Sequence, residues 1–283
     1  MRKIIGIGET ILDIIFKNGQ PTKALPGGSV FNTMVSLGRL GIPVHFITEL
    51  GQDQVGNNIL SFMRENNLST ENVDIFCEGK SPVSLAFLND QNEARYMFYT
   101  QYPENRLNVI WPRIDPDDIL ILGSYYAPNF RKAHAHEAMR ITPSLLENFE
   151  YADIIRGSEE DFETLFNLSD PGKVYLDKIK FYCPNFIYTR GPKGVELFTA
   201  QTHLHFDVPQ IKPVSTIGAG DNFNAGLLYG ILRENISRSQ LENLSPEKWS
   251  DIISSGIDFS LEVCNSYDNY ISTEFAAKYR TTH

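Results

Sequence analysis

The sequence alternates short apolar segments with longer segments of helical periodicity, and this alternation most constrains its fold. Lys3–Gly8 and Val44–Leu50 are apolar runs that end at or just before a glycine, and Val30–Leu40 lies between them with apolar residues at helical spacing. Strands of a parallel sheet are buried on both faces, so they read as continuous apolar runs joined by crossover helices. The pattern therefore predicts an α/β domain with a mainly parallel central sheet covered on both faces.

The same alternation continues along the chain. Further helices are predicted over Asn57–Asn66, Asp221–Arg233 and Ser250–Val263, and further strands over Asp118–Leu122, Ala152–Ile155, Asn185–Thr189 and Val195–Thr199. Residues 10–25 and 81–102 differ, because they resemble strands with polar interruptions, and residues 89–92 (NDQN) suggest a hairpin turn. We interpret these two stretches as a small β lid. No internal repeat or linker is present, so we expect one domain over residues 1–283.

Composition excludes several classes of protein. The 25 Lys and Arg residues against 35 Asp and Glu give a net charge of −10, which argues against nucleic-acid binding. The three cysteines lie far apart and indicate neither a disulfide framework nor a zinc site. Glu9 and Asp13 interrupt the first apolar stretch, and no run approaches the ~18 apolar residues of a membrane span. We therefore expect a cytoplasmic enzyme or small-molecule binder with no nucleic-acid or membrane partner.

The most informative stretch is Ser215–Leu227, STIGAGDNFNAGL. Gly218, Ala219 and Gly220 have little or no side chain, so their backbone N–H groups can approach an anion closely. A helix begins at once, and its positive dipole end favours a phosphate group. Asp221 lies in the first helical turn. Taken alone, this stretch could also be a glycine turn in which Asp221 is only a helix cap.

The wider pattern resembles the PfkB, or ribokinase-like, family of carbohydrate kinases. Ser215–Leu227 matches the C-terminal signature of that family, and three further matches occur in family order: Gly27–Asn32 (GGSVFN), Leu37–Gly41 (LGRLG) and Gly51–Gly56 (GQDQVG). Val30 and Met34 depart from the small residues usual there. The resemblance implies a ribokinase-like three-layer α/β/α domain with a mainly parallel central sheet and a small β-sheet lid.

The resemblance also implies the reaction, which is ATP-dependent phosphorylation of a primary hydroxyl of a sugar. Gly8–Asp13 (GETILD) resembles the fructokinase and 2-keto-3-deoxygluconate kinase branches, so the acceptor would be a ketose such as fructose or a 2-keto-3-deoxy sugar acid. Asp221 would be the general base, and the amides of Gly218, Ala219 and Gly220 would stabilise the transferred group. Sugar-binding residues implied by the resemblance are Asp13, Gly28 and Asn32. The chain contains no Walker sequence GxxxxGK[ST].

On the nucleotide side, Thr189–Gly194 (TRGPKG) resembles the T-x-G-x-x-G loop of the family. The resemblance implies that the nucleotide is bordered by Thr189, Gly191, Gly194, Ser158 and Arg131. Ser158–Asp161 stands in the place of the N-x-x-E motif, so Mg²⁺ would be held, largely through water, by Asp161 or Glu160. Ser215 replaces an Asp that helps many members to hold a monovalent cation. Whether potassium activates this chain is therefore left open.

One piece of the family pattern is missing. The strand ending at Leu122 runs almost directly into Pro128–Arg131, which resembles the end of a D-P-N-x-R motif with Ala127 in place of its Asp. Parallel strands need a crossover of at least about a dozen residues. We therefore expect that a helix-plus-strand unit of roughly 25 residues is absent near 127–128, either by deletion or by omission from the sequence.

Two other classes of function compete with the kinase. The first is a sugar- or nucleotide-binding protein of the same fold without catalysis. The second is a dinucleotide-dependent oxidoreductase, suggested by Gly6 and Gly8 but lacking the third glycine of its fingerprint. Two histidine pairs have metal-like spacing but no further nearby ligands, namely His134 with His136 and His203 with His205. A homodimer through the lid is a further expectation, and the lid residues that would pack there or contact substrate are Arg95, Tyr96, Phe98 and Tyr99.

Overall fold

The computed structural model describes residues 2–89, 94–123 and 145–282. These residues group into two compact units. The first unit comprises Met1–Ala127, Lys212–Gly230 and Ser254–His283, and the second comprises Pro128–Ile211 and Ile231–Ile253.

The first unit contains a parallel sheet and a lid sheet. Its strands are β1 (Ile4–Ile7), β2 (Ile11–Lys17), β3 (Gln20–Gly27), β4 (Val44–Gly51), β5 (Val73–Phe76), β6 (Lys80–Leu88), β7 (Ala94–Gln101) and β8 (Ile119–Leu122). The parallel sheet has the order β5-β4-β1-β8, and its described pairings are all parallel. The mainly parallel sheet expected from the apolar runs is thereby confirmed.

Helix α1 (Ser29–Arg39) packs on this sheet, and two glycines of the chain make the close approach practicable. A Cβ atom at Gly6 would lie 2.8 Å from both Met34 Sδ and Val30 Cγ1, and one at Gly8 would lie 2.8 Å from Val30 Cβ. The space that these glycines leave is therefore filled by Val30 and Met34, the two residues that depart from the family pattern. Helix α2 (Gln54–Glu65) begins at the N-cap Asp53, whose side chain accepts a hydrogen bond from Gly56 N.

The lid sheet has the order β3-β2-β6-β7, with β2 and β6 parallel and the other two pairings antiparallel. Its inner face packs around a small apolar cluster that includes Ile15, Leu25, Ala86 and Ile217. The small β-sheet lid is thus confirmed. Most of the turn predicted over 89–92 lies outside the described residues.

The second unit is built on β9 (Ile155–Ser158), β10 (Phe186–Thr189), β11 (Val195–Phe198) and β12 (His203–Phe206), in the order β12-β11-β10-β9. The predicted strand Ala152–Ile155 is wrong in position, because the extended segment begins where the prediction ended. Ile155 and Gly157 are the buried positions, and a Cβ at Gly157 would lie 2.4 Å from the ring of Phe162. The ring of Phe162 thus packs directly over the strand at Gly157.

The remaining helices are α3 (Glu159–Phe166), α4 (Pro171–Val174), α5 (Ala219–Arg233), α6 (Arg238–Leu241), α7 (Pro246–Cys264) and α8 (Thr273–Thr282). No helix in the described ranges is long and apolar enough to cross a membrane. The expected loss near 127–128, together with Arg131, His134 and His136, falls outside the described residues, so the expectations for them stay predictions.

Candidate active site

Asp13 lies on the inner face of the lid sheet, on strand β2, and is almost fully buried. Its Oδ1 accepts a hydrogen bond from the Ser84 hydroxyl on β6, and its Oδ2 accepts one from Asn269 Nδ2 at 3.2 Å. Burial is the largest influence on this carboxyl, and with a smaller effect of the Asp221 charge it raises the pKa of Asp13 to about 6, against the lowering effect of Ser84 and Asn269. The site therefore holds a carboxylate that is costly to ionise.

The two glycines that precede α1 allow backbone and carboxylate to come together. A Cβ at Gly27 would lie 2.1 Å from Asp13 Oδ2. Gly28 has φ 122°, a left-handed conformation, and a Cβ there would lie 2.2 Å from the carbonyl oxygen of Glu9. A side chain at Gly27 would displace the Asp13 carboxylate, and one at Gly28 would displace the Glu9 backbone, which explains why this turn needs glycine.

Asp221 lies in the first turn of α5, where it is held by the first turn of α1. Ser29 Oγ donates to Asp221 Oδ1 at 2.7 Å, and Asn32 Nδ2 donates to Asp221 Oδ2 at 2.8 Å. The Thr33 hydroxyl donates to the Asp221 carbonyl oxygen at 2.8 Å. The first turn of α1 therefore sets the orientation of the Asp221 carboxylate.

The turn before α5 has the conformation expected of an anion-binding N-terminus. Gly218 has φ 78°, and its carbonyl oxygen accepts the first helical hydrogen bond, from Asn222 N at 2.9 Å. The N–H of Ala219 donates to the Thr216 carbonyl at 3.3 Å. Free N–H groups of a first helical turn point away from the helix and attract negative charge. The amides of Gly218, Ala219 and Gly220 thus directly precede Asp221, and the N–H of Ala219 is already donated to Thr216.

Two buried amide oxygens in this network accept no hydrogen bond from the described residues, namely Asn32 Oδ1 and Asn269 Oδ1. Both residues already use their Nδ2 atoms, on Asp221 and on Asp13 respectively. A buried acceptor without a donor costs about 1–3 kcal/mol. Oxygen atoms of this kind beside two carboxylates fit a ligand that brings several hydroxyl groups.

Glu9 adds a third acid to this part of the molecule. Burial is the largest influence and raises the pKa of Glu9 to about 7, with a lowering effect of Arg106 and a raising effect of Glu49. Arg106 is itself bonded to Glu49, through Nε at 2.7 Å, and its guanidinium lies 3.6 Å from the ring centre of Tyr102. The cation that acts on Glu9 is therefore already paired with an acid.

In the second unit, Ser158 and Thr189 lie opposite each other at the ends of two parallel strands, β9 and β10. Thr189 Oγ1 accepts a hydrogen bond from Arg156 Nη2 at 2.7 Å. After Thr189 the chain turns through Gly191, at φ 52°, and Gly194, at φ 100°. The structure thus brings together four of the residues predicted to border the nucleotide.

Ser158 is the N-cap of α3 and forms a capping box with Asp161. Asp161 Oδ2 accepts from the Ser158 backbone N–H at 2.8 Å and from its hydroxyl at 2.7 Å. Glu160 is exposed in the same helical turn, and Lys193 of the neighbouring loop pairs with Glu159 at 3.0 Å. One oxygen of Asp161 is thus occupied by the cap of its own helix.

The second histidine pair is used differently from a metal site. His203 Nε2 and His205 Nδ1 lie 2.8 and 3.0 Å from the two oxygens of Glu196, and Arg190 also bonds to this carboxylate. Within the described ranges no group of three or more His, Cys, Asp or Glu side chains could hold a metal ion. Glu196 instead ties β12 to the Thr189–Gly194 loop.

Sequence reasoning missed three residues of the site, namely Ser29, Ser84 and Asn269. Ser29 lies inside the GGSVFN match and could have been found from its place between Gly28 and Asn32. Ser84 lies on a lid strand and Asn269 in a loop, and neither belongs to a recognisable motif. The oxidoreductase hypothesis fails here, because β1 is followed by the strand β2 and not by the helix that a dinucleotide fingerprint requires.

Comparison with known proteins agrees with this geometry. The model of the pfkB family carbohydrate kinases matches residues 1–146 and 141–243. A fructokinase of Rhizobium leguminosarum bv. trifolii is 24% identical over 278 residues, covering 86% of this chain and 84% of that protein. A ribokinase of Lactococcus lactis subsp. lactis is 25% identical over 265 residues, covering 84% of this chain and 86% of that protein.

Solved structures show the same fold at low identity. The fructokinase of Vibrio cholerae O395 in its fructose, ADP and calcium ion bound form has a TM-score of 0.77 at 16% identity and covers 96% of both chains. A nucleoside kinase of Methanocaldococcus jannaschii has a TM-score of 0.71 at 19% identity, covering 100% of this chain and 99% of that one. Since the family model matches most of the sequence and the ribokinase-like fold agrees, this chain belongs to the pfkB family of carbohydrate kinases.

Proposed function

We propose that this kinase transfers the γ-phosphoryl group of ATP to a primary hydroxyl of a neutral ketose such as fructose. The observation that carries the proposal is a pair of carboxylates that each accept from a buried asparagine, Asp13 from Asn269 and Asp221 from Asn32. This arrangement contains one carboxylate suited to binding hydroxyl groups, one suited to accepting a proton, and two buried amide oxygens that accept no bond from the described residues. Fructokinases among the relatives support a ketose as the acceptor.

In the proposed reaction the acceptor hydroxyl donates its hydrogen bond to Asp221. As the acceptor oxygen bonds to the γ-phosphorus, the bond from that phosphorus to the bridging oxygen breaks, ADP leaves, and the hydroxyl proton passes to the Asp221 carboxylate. The α5 N-terminus favours the negative charge of the transferred group. Positioning and electrostatic stabilisation of this kind supply most of the catalysis in phosphoryl transfer.

A neutral sugar suits the charges of the site better than a sugar acid. Asp221 lies close enough to Asp13 to raise its pKa, which burial brings to about 6, and Glu9 nearby in the sequence has a pKa raised by burial to about 7. A second anion would further penalise these carboxylates, and the cation that acts on Glu9, Arg106, is already bonded to Glu49. These contacts support a polyol whose hydroxyl groups donate to Asp13 and to the amide oxygens of Asn32 and Asn269.

The test is ATP consumption with purified protein over a panel of fructose, tagatose, ribose, 2-keto-3-deoxygluconate and nucleosides. We expect a neutral ketose to give a kcat/KM at least about tenfold above that of the sugar acid, which corresponds to about 1.4 kcal/mol. A preference for the sugar acid would refute the charge argument. Calorimetric binding of sugar without turnover by any nucleotide would instead support the non-catalytic alternative.

The nucleotide would be bordered by Thr189, Gly191, Gly194 and Ser158. Mg²⁺ would supply neutralisation of the negative charge on the phosphate groups. The α3 turn fits such an ion, because Mg²⁺ keeps several waters and is often bound through one or two carboxylates. Since Asp161 spends one oxygen on its capping box, we propose that Glu160 is the acid that faces the hydrated ion.

This assignment separates two neighbouring variants. Glu160→Gln should raise the Mg²⁺ concentration for half-maximal activity by about tenfold and leave the melting temperature unchanged, because Glu160 is exposed. Asp161→Asn should mainly lower the melting temperature, because it weakens the capping box by about 1 kcal/mol. Magnesium titrations and thermal melts of both variants decide between them, and the reverse pattern would assign the ion to Asp161.

We also propose that two chains associate through the outer face of the lid. Phe87, Met97 and Tyr99 are exposed on β6 and β7, and Phe16 stacks on Phe87 with ring centres 4.9 Å apart. Sedimentation should give a dimer for the natural chain and a monomer for Met97→Lys, because a buried ammonium group would oppose association. A dimer unaffected by this change would exclude the lid as its interface.

A further inference from the structure

One side chain that the reaction scheme does not use, Asn222, joins three segments of the first unit. Asn222 follows Asp221 and is fully buried. Its Nδ2 donates to the carbonyl oxygens of Gly218 and Asn269, each at 2.8 Å. Its Oδ1 accepts from Ser36 Oγ on α1 at 2.5 Å. All the hydrogen-bonding capacity of the amide nitrogen is thereby spent on two backbone carbonyls.

The two carbonyls belong to the two halves of the proposed site. Gly218 forms the anion-binding turn, and Asn269 donates through its side chain to Asp13. The two backbones approach so closely that a Cβ at Gly218 would lie 2.6 Å from Asn269 O. Buried carbonyl oxygens that converge on one point need a donor or a cation between them. In this chain the Asn222 amide supplies that donor.

A third hydrogen bond is consistent with the orientation that the two carbonyl oxygens impose on the amide. Ser36 Oγ accepts from the backbone N–H of Ile271 at 3.2 Å, and its own hydrogen is donated to Asn222 Oδ1. Since the two carbonyl oxygens can only accept, the amide nitrogen must face them, and the amide oxygen then faces Ser36 Oγ and accepts its hydrogen. The orientation is therefore imposed by the network and not left to rotation of the side chain.

We propose that Asn222 is a positioning residue for phosphoryl transfer, which holds the Gly218 turn against Asn269 and so makes a monovalent cation unnecessary. The effect on catalysis rests on the proposed function, because Asn222 would align Asp221 and the stabilising amides with the sugar-binding Asp13. The bridge itself does not depend on the reaction. It follows from the three hydrogen bonds of one buried amide.

Two variants test the proposal. Asn222→Ala removes both donated hydrogen bonds, and Asn222→Asp replaces them by a carboxylate beside two carbonyl oxygens, which is a set of ligands suited to a hard monovalent cation. We expect the natural enzyme to have equal kcat in KCl and in tetramethylammonium chloride of the same ionic strength. In the second salt both variants should lose about 10- to 100-fold in kcat, with a smaller change in the KM for sugar, because misplacement by about 1 Å can cost 10²-fold.

Potassium distinguishes positioning from a general loss of stability. About 0.1 M KCl should raise the kcat of Asn222→Asp at least fivefold. Backbone carbonyl oxygens are ligands that coordinate K⁺, so the ion can join the two carbonyls in place of the lost amide. Asn185→Ala is the matched control, because Asn185 is also buried and donates to a backbone carbonyl, that of Asp153, at 3.0 Å. It should lower the melting temperature without creating any dependence on potassium.

Melting temperatures keep this test separate from the proposed function. Asn222→Asp should melt at a higher temperature in KCl than in tetramethylammonium chloride, whereas the natural chain should melt at the same temperature in both, whichever sugar is phosphorylated. Stimulation of the natural enzyme by potassium would overturn the proposal. So would an Asn222→Ala variant with unchanged kcat, or an Asn222→Asp variant that is indifferent to potassium in both activity and melting.

Discussion

Asp221→Asn is expected to lower kcat by about 10²–10⁴-fold, which is the usual contribution of a general base, while the KM values for sugar and ATP change little. An amide keeps the shape of the carboxylate but cannot accept the acceptor's proton. The fold should tolerate the change, because the amide oxygen can still accept from Asn32, and the Ser29 hydroxyl can turn to accept from the new amide nitrogen.

Single-turnover and steady-state assays measure this effect, with Asp53→Asn as the matched control. Asp53 is also a carboxylate at a helix N-terminus, where it is half-buried and accepts from Gly56 N and Ser81 N, each at 2.8 Å. Its replacement should lower the melting temperature and leave kcat within about threefold. If Asp221→Asn kept kcat within about tenfold of the natural enzyme, Asp221 would not be the general base.

Asp13→Asn is expected to impair sugar use and yet to stabilise the folded protein at pH 8. Two hydroxyl groups that donate to a carboxylate contribute about 1.5–3 kcal/mol each, so kcat/KM for sugar should fall by at least about 10²-fold. The folded state should gain, because burial raises the pKa of Asp13 from 3.8 to about 6. That difference corresponds to about 3 kcal/mol of cost for the ionised group.

The sign of the pH dependence follows from proton binding. Between pH 4 and pH 6 the folded chain holds a proton on Asp13 that the unfolded chain has released, so the contribution of Asp13 to the free energy of unfolding falls as pH rises through this range and is constant above it. Glu9 has the same sign, with a pKa raised from 4.5 to about 7. The stabilising effect of Asp13→Asn should therefore be large at pH 8 and small at pH 4.

Denaturant unfolding of both proteins at pH 4 and pH 8 checks this prediction, with KM for sugar measured alongside. The KM of the natural enzyme should also rise below pH 6, because a protonated Asp13 has fewer acceptor sites for hydroxyl groups. A variant that is destabilised equally at both pH values would show that Asp13 is a structural hydrogen-bonding residue whose charge is not penalised. Unchanged sugar KM would remove it from the acceptor site.

Most of the fold could be predicted because its signals are local. The apolar runs of β1 and β4, the glycines that end them and the helical periodicity of α1 each involve a few consecutive residues, and all three predictions agree with the structure. The prediction at Ala152–Ile155 failed for a non-local reason. Phe162 packs over Gly157 in that strand, and this contact with a residue outside the strand is not revealed by any periodicity within it.

The sequence by itself determined the family, the start of α5 at its glycine turn, and the pairing of Asp13 with Asp221 as candidate acids, because these lie in motifs whose spacing is constrained by the backbone. Only the tertiary structure decided what holds them. Ser84 and Asn269 reach Asp13 from 71 and 256 residues away, and Asn222 reaches Asn269 across 47. Contacts over such separations arise when strands and loops pack, so the hydrogen bonds that set the charge and orientation of the site could not be read from any single segment.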